Sequence, residues 1–161
     1  EALIDLKKDL PRLPQSLTLP KNSLGNQFEL ALQLVGSPNP PPFLQMEHSG
    51  YDTHANQRTR QGNLLRELAN GLTSFNKGLK IFPKRSAVTI LITSEFGRRF
   101  AENGSGGTDH GSASISLLMG DQLPHSFVGY YPSLRNLDNR GDLISNLTPP
   151  KLYQIAIDSV N

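Results

Sequence analysis

The carboxylates of Asp52, Glu95 and Asp109 and the imidazoles of His54 and His110 make a mixed oxygen and nitrogen donor set. Such a set suits zinc, manganese or iron, whereas calcium takes oxygen ligands alone. Asp52 and His54 are separated by one residue, so in extended backbone both side chains point the same way and can reach one ion. Asp109 and His110 are adjacent, at the end of a glycine-rich run, ENGSGGTDHG, that also follows Glu95. A divalent ion held here would polarise a phosphoryl or sulfuryl oxygen, or lower the pKa of a bound water. Arg98, with Arg99 beside it, offers a planar fork to an anionic substrate.

Each residue also has an ordinary reading. Asp52 or Thr53 would cap a helix starting near Asn56. Glu95 reads as a turn residue or a partner of Arg98, Asp109 as a turn former, and His110 as a loop histidine. His48 and His125 read as structural or surface residues, with His48 close enough in sequence to Asp52 to serve as a reserve ligand. What favours a metal is convergence, since both polar stretches begin where strands should end.

The elements that must position these groups follow from periodicity. A short amphipathic helix is expected over residues 1–10, then an extended linker through Pro11, Pro14 and Pro20. Leu24, Phe28, Ala31 and Val35 recur at helical spacing, closed by Gly36 and Pro38. SPNPPP is a rigid connector, and FLQME (residues 43–47) reads as a strand running into HSGYDTHANQ. A long helix is expected over residues 57–80, with Leu64, Leu65, Leu68, Leu72, Phe75 and Leu79 as its apolar stripe. Residues 87–92 (AVTILI) form a strand apolar on both faces, as in a covered sheet, and residues 113–119 form another. Residues 125–131 are an edge strand or irregular, and residues 151–160 a last helix with Leu152, Ile155, Ala156 and Val160 aligned. This order implies a single α/β layered domain over residues 1–161 with a mostly parallel central sheet, residues 1–21 being peripheral. Ligands in such sheets sit at the carboxyl ends of the strands, which makes the two polar stretches neighbours.

Composition narrows the function classes. The chain has 161 residues and a formal charge of +2. Its basic residues are scattered and not interleaved with aromatics, so a nucleic-acid partner is not expected. No apolar run approaches the roughly 20 residues of a membrane span. The absence of cysteine excludes disulfides, thiolate metal sites and a cysteine nucleophile. GSGGTDHG lacks the Gly-Lys-Ser/Thr closure of a P-loop, and no G-x-S-x-G elbow is present. The chain opens on Glu1 rather than methionine, and we expect a processed or partial chain. The sequence leaves the oligomeric state open.

Taken together, GYDTHANQ, a long helix, VTILITSEFGRR, ENGSGGTDHGSAS and NLDNRGDL resemble the bacterial DUF1501 family, over roughly residues 22–142. That family is often labelled sulfatase-like and resembles, distantly, the alkaline phosphatase superfamily, which includes the sulfatases. The resemblance implies a three-layer α/β/α sandwich, a binuclear centre of divalent metal ions, and export to the periplasm. It implies a small anionic ester as substrate and hydrolysis of phosphate or sulfate esters. A non-catalytic sulfatase-like domain that binds a polyanion, glycan or protein partner is the alternative. Asp52 and His54 sit where the superfamily supplies an aspartate and a histidine to one metal. Glu95 occupies a strand end where relatives carry an Asp-His or Asp-Asn pair, with Phe96 as the non-ligating neighbour. His110 resembles the late metal histidine, or else Asp109 and His110 are themselves the Asp-His pair. Ser112 stands where many members have histidine after TDHG. Nothing in residues 1–44 resembles the superfamily's first metal aspartate and nucleophile, so the chain is expected to be the C-terminal part of a longer protein or a member lacking that half.

Overall fold

The computed structural model describes residues 10–82, 88–123 and 127–160. They form two compact units, one of residues 10–51 and 61–82, the other of residues 52–60, 88–123 and 127–160. The helix expected over residues 1–10 lies outside the described residues except for Leu10, as do Ala87 and His125.

Two helices make the first unit. Helix α1, Ser23–Val35, begins where Asn22 accepts the Gly25 N–H on its side-chain oxygen at 2.8 Å. That bond satisfies one of the donors a helix start leaves orphaned. Leu24, Phe28, Ala31 and Leu32 are its buried face. Helix α2, Gln57–Leu79, starts in the second unit, and most of its length belongs to the first. Leu72, Phe75 and Leu79 are buried and Leu64 and Leu68 half-buried, but Leu65 is 51% exposed and lies off the expected stripe. The Phe28 and Phe75 rings meet at 5.1 Å. A Cβ on Gly71 would stand 2.6 Å from the Phe28 ring, and one on Gly78 2.5 Å from Leu32 Cδ1. These glycines cost about 1 kcal/mol each in helix propensity, yet they let α1 and α2 approach.

Residues 43–47 are not a strand. Phe43 is 69% exposed, and the Glu47 backbone bonds through both its N–H (2.9 Å) and its C=O (2.8 Å) to the Gln27 amide. A side chain on α1 thus meets the hydrogen-bonding need that a neighbouring strand would have met.

The second unit carries short strands: β1 (Ile90–Ile92), β2 (Gly97–Arg98), β3 (His110–Gly111) and β4 (Leu117–Met119). β1 pairs antiparallel with β4, Leu91 facing Leu118, and β2 pairs antiparallel with β3, Arg98 facing His110. Helix α3, Pro149–Asp158, packs beside β1, and Ser159 just after it donates to the Thr89 hydroxyl at 3.0 Å. Residues 127–131 are irregular. The fold is therefore mixed α/β, but its pairing differs from the mostly parallel sheet expected. Between β1 and β4 the chain makes the β2–β3 excursion and no crossover helix, and without a crossover a returning strand pairs antiparallel. No three-layer sandwich is present among the described residues. None of the described helices is long and apolar enough to cross a membrane.

Candidate metal centre

The extended segment ahead of α2 alternates sides as its spacing requires. Asp52 and His54 are exposed and Thr53 between them is fully buried. Burial of Thr53 pins the segment, so the carboxylate and imidazole on either side of it face outward together. The result is a contact of 3.0 Å between His54 Nε2 and Asp52 Oδ1.

The glycine-rich loop is fastened to the start of α2. The N–H groups of Asn56 and Gln57 bond to the carbonyls of Ser105 (3.2 Å) and Gly106 (2.9 Å). Those are donors that a helix start cannot satisfy internally, so loop carbonyls close the start of the helix. Thr108 adds a hydroxyl bond to the Gln57 side chain at 2.9 Å. A Cβ on Gly107 would lie 2.4 Å from the His54 carbonyl carbon and oxygen, so this backbone approach admits glycine alone. The loop then returns through β3, which delivers Asp109 and His110 to the Asp52–His54 pair.

Asp52, His54 and His110 each present a ligand atom, all within 4.8 Å of one another. Asp52 Oδ1 is shared, at 3.0 Å from His54 Nε2 and 2.9 Å from His110 Nε2. Ligand atoms around a tetrahedral zinc-type ion stand about 3.3 Å apart, close to these spacings. His54 Nδ1 meets Asp109 Oδ1 at 3.1 Å on the ring's other side. The bond from His110 holds the Asp52 carboxyl below its ordinary value, against the cost of desolvation and with help from the charges of His54, His110 and Arg98. Bonds from His54 and then Asn103 lower Asp109 in the same way.

Both acids are thus ionised near neutral pH and accept only. His54 must therefore donate from Nδ1 to Asp109, which fixes its ring. Its Nε2 then faces the Asp52 oxygen, and a proton or a cation has to lie between them. A histidine whose far nitrogen donates to a carboxylate while the near one faces an ion is the usual second layer of a metal site. Phe96 stacks on the His110 ring at 3.8 Å and 12°, and the Arg98 guanidinium stands 5.0 Å from the Phe96 centroid.

Of the residues expected from sequence, the structure brings together Asp52, His54 and His110 as donors and Asp109 behind them. Glu95 is exposed and outside the donor group. Arg98 donates to the Thr108 carbonyl and lies 3.6 Å from Asp52 Oδ1, so much of its fork serves the protein's own acceptors. His48 bonds to Tyr51 at 3.0 Å and lies 3.6 Å from Glu67, a structural role. Sequence reasoning missed Asn103, Thr108, Gln57 and the stacking role of Phe96. It also missed an ion pair just after β2, Arg99 Nε to Asp142 Oδ1 at 3.3 Å, in which both atoms are buried without a well-aligned hydrogen bond. Only Asn103 had a local signal, an Asn-Gly pair that favours a turn.

A family model described as a protein of unknown function, DUF1501, matches residues 15–134. The chain belongs to the DUF1501 family. No curated protein and no solved structure matches it. The DUF1501 match spans Asp52, His54, Asp109 and His110, together with the loop that joins them. Asp142, α3 and the turn at Asp138 lie beyond it.

Proposed function

We propose that Asp52, His54 and His110 hold a divalent ion of the zinc, manganese or iron class, and that the chain is the metal-bearing part of a hydrolase of phosphate or sulfate esters. The observation that carries this reading is His54 set between two carboxylates, its Nδ1 committed to Asp109 and its Nε2 facing the oxygen that Asp52 shares with His110. Mixed donors of this kind fit those ions. Bound there, the ion would act as a Lewis acid on an ester oxygen or acidify a water. Arg98 adds positive charge beside Asp52, the sign that a small anionic ester requires. The α/β/α framework of sulfatases and alkaline phosphatases, and export to the periplasm, belong to the same reading. They rest on the motif resemblance alone.

Elemental analysis of the purified protein tests the metal. Stoichiometric zinc, manganese or iron is expected, and it should be lost in the Asp52→Ala/His110→Ala double variant. A metal-free protein whose melting temperature is indifferent to chelator would sink the proposal. A panel of aryl phosphates and sulfates then tests catalysis in the metal-loaded protein.

One observation favours a second, non-catalytic reading. The Asp52, His54 and His110 side chains are 62%, 48% and 46% exposed, an open setting that excludes little water, whereas catalytic electrostatics gain from enclosure. Metal-loaded protein that turns over no ester but is retained on a sulfated polysaccharide column would decide for binding.

A further inference from the structure

We propose that Asn103 is a positioning residue for the metal centre, acting through Asp109. This role rests on the metal reading above and names how the loop holds that site in register.

The Asn103 amide is used at both ends. Its Oδ1 accepts the N–H groups of Ser105 at 2.9 Å and Gly107 at 3.1 Å, which folds the loop around it. Its Nδ2 donates outward, to the His54 carbonyl at 3.0 Å and to Asp109 Oδ1 at 3.4 Å. The backbone of Asn103 adds a bond from its N–H to the Gly107 carbonyl at 2.7 Å. One side chain thus touches the backbone of a donor residue and the carboxylate that orients the same donor's ring.

The two ends separate by chemistry. An acceptor at position 103 is all the loop turn needs, while the His54–Asp109 side needs a donor. Asn supplies both in one planar group, and Asp supplies only the first. Asp109 Oδ1 receives both the His54 Nδ1–H and the Asn103 amide. Without the amide that oxygen loses one of two restraints, and the imidazole it aims loses its fixed orientation. Carboxylates behind a metal histidine commonly matter by 10- to 100-fold in affinity, and Asn103 is one step further out on the same line.

Cobalt(II) titration of the purified chain tests the role, read by calorimetry and by the visible spectrum of the bound ion. Asn103→Ala and Asp109→Ala should each weaken cobalt binding by about tenfold. The double variant should bind within about twofold of Asp109→Ala alone, because residues acting through one contact are not additive. Losses that multiply would overturn the proposal, since they would mean that Asn103 acts independently through loop folding. Asn103→Asp keeps the two loop bonds and guards against a variant that merely unfolds. It should stay folded with the wild-type helical signal, melting no lower than Asn103→Ala, yet bind cobalt less tightly than wild type with an altered spectrum. Wild-type affinity and spectrum in Asn103→Asp would overturn the role of Asn103 alone. A wild-type chain that takes up no cobalt would overturn the metal reading and this role with it.

Discussion

The helical unit and the site-bearing unit are ordered by different forces. Among the described residues, the first buries Leu24, Phe28, Ala31, Leu32, Leu72, Phe75 and Leu79. In the second, the buried side chains are Thr53, Asp142 and Ser159, with Gly97 and Gly107 as buried backbone. No large apolar side chain is fully buried there. Hydrophobic burial therefore accounts for the first, at roughly 1.5–3 kcal/mol for each large side chain. The second depends on directed bonds, between loop carbonyls and the start of α2, from the Asn103 amide and at the shared Asp52 oxygen, and on the Arg99–Asp142 ion pair. The contrast teaches that the region carrying the donors has given up packing for geometry, so substitutions there should change binding before they change stability.

Phe28→Ala should have the largest effect. Phe28 is 1% exposed and its ring meets Phe75, so truncation should cost about 3–5 kcal/mol, transfer and cavity together. Urea unfolding followed by the helical signal measures it. A cost below about 1 kcal/mol would mean that the helical unit is not held by its core, and the contrast between the units would collapse.

Gly107→Ala comes next and should separate the units. The added methyl meets the His54 backbone at 2.4 Å, and backbone cannot step aside as a side-chain tip can. We expect about 1–3 kcal/mol of local cost, a loss of metal binding, and a smaller shift of the urea midpoint than Phe28→Ala gives. Gly104→Ala is the control, because a Cβ there meets nothing within 4 Å. It should stay within about 0.5 kcal/mol of wild type. Equal behaviour of the two variants would show that the close approach at Gly107 does not govern the site.

These two substitutions also mark what the sequence made legible. The Phe28 face of α1 and most of the α2 stripe were readable because helical period and burial coincide there. The Asp52/His54 pairing was readable because extended backbone alternates, and the structure supplies the buried Thr53 that enforces it. Leu65 was misplaced because it adjoins Leu64, and neighbouring positions on a helix point in different directions. The strand expected at residues 43–47 failed because Gln27, distant in sequence, takes its backbone groups. Antiparallel pairing of β1 with β4 was missed because strand direction depends on the connection, and the β2–β3 excursion carries no periodic signal in its two-residue strands. The bond from Asn103 to the His54 carbonyl and the Arg99–Asp142 pair span long sequence separations, which no local pattern reports.

Acid should produce the smallest effect, and it bears on the site-bearing unit. Asp52 is held down first by its bond from His110, Asp109 first by its bond from His54, and Asp138 first by the Asp142 N–H and then that of Arg140. In each the folded pKa lies below the ordinary carboxyl value of 3.8. The folded state therefore binds protons less readily than the unfolded state. Stability from these groups is fully present above that ordinary value and is lost as pH falls through the lower folded ones. All three lie near solvent, where such contributions are screened, so the loss should be shallow. Asp138 lies in a turn away from the metal donors, its bonds coming from backbone alone. Asp138→Asn and Asp109→Asn should each flatten part of the acid slope in metal-free protein, as read by urea midpoints across the acid range. Added cobalt should add a further loss of stability in Asp138→Asn as pH falls from neutral, because protons compete with the cation for His54, His110 and Asp52. A pH dependence indifferent to cobalt would count against a metal held by Asp52, His54 and His110, while leaving the Asp138 turn as an acid-sensitive element of this unit.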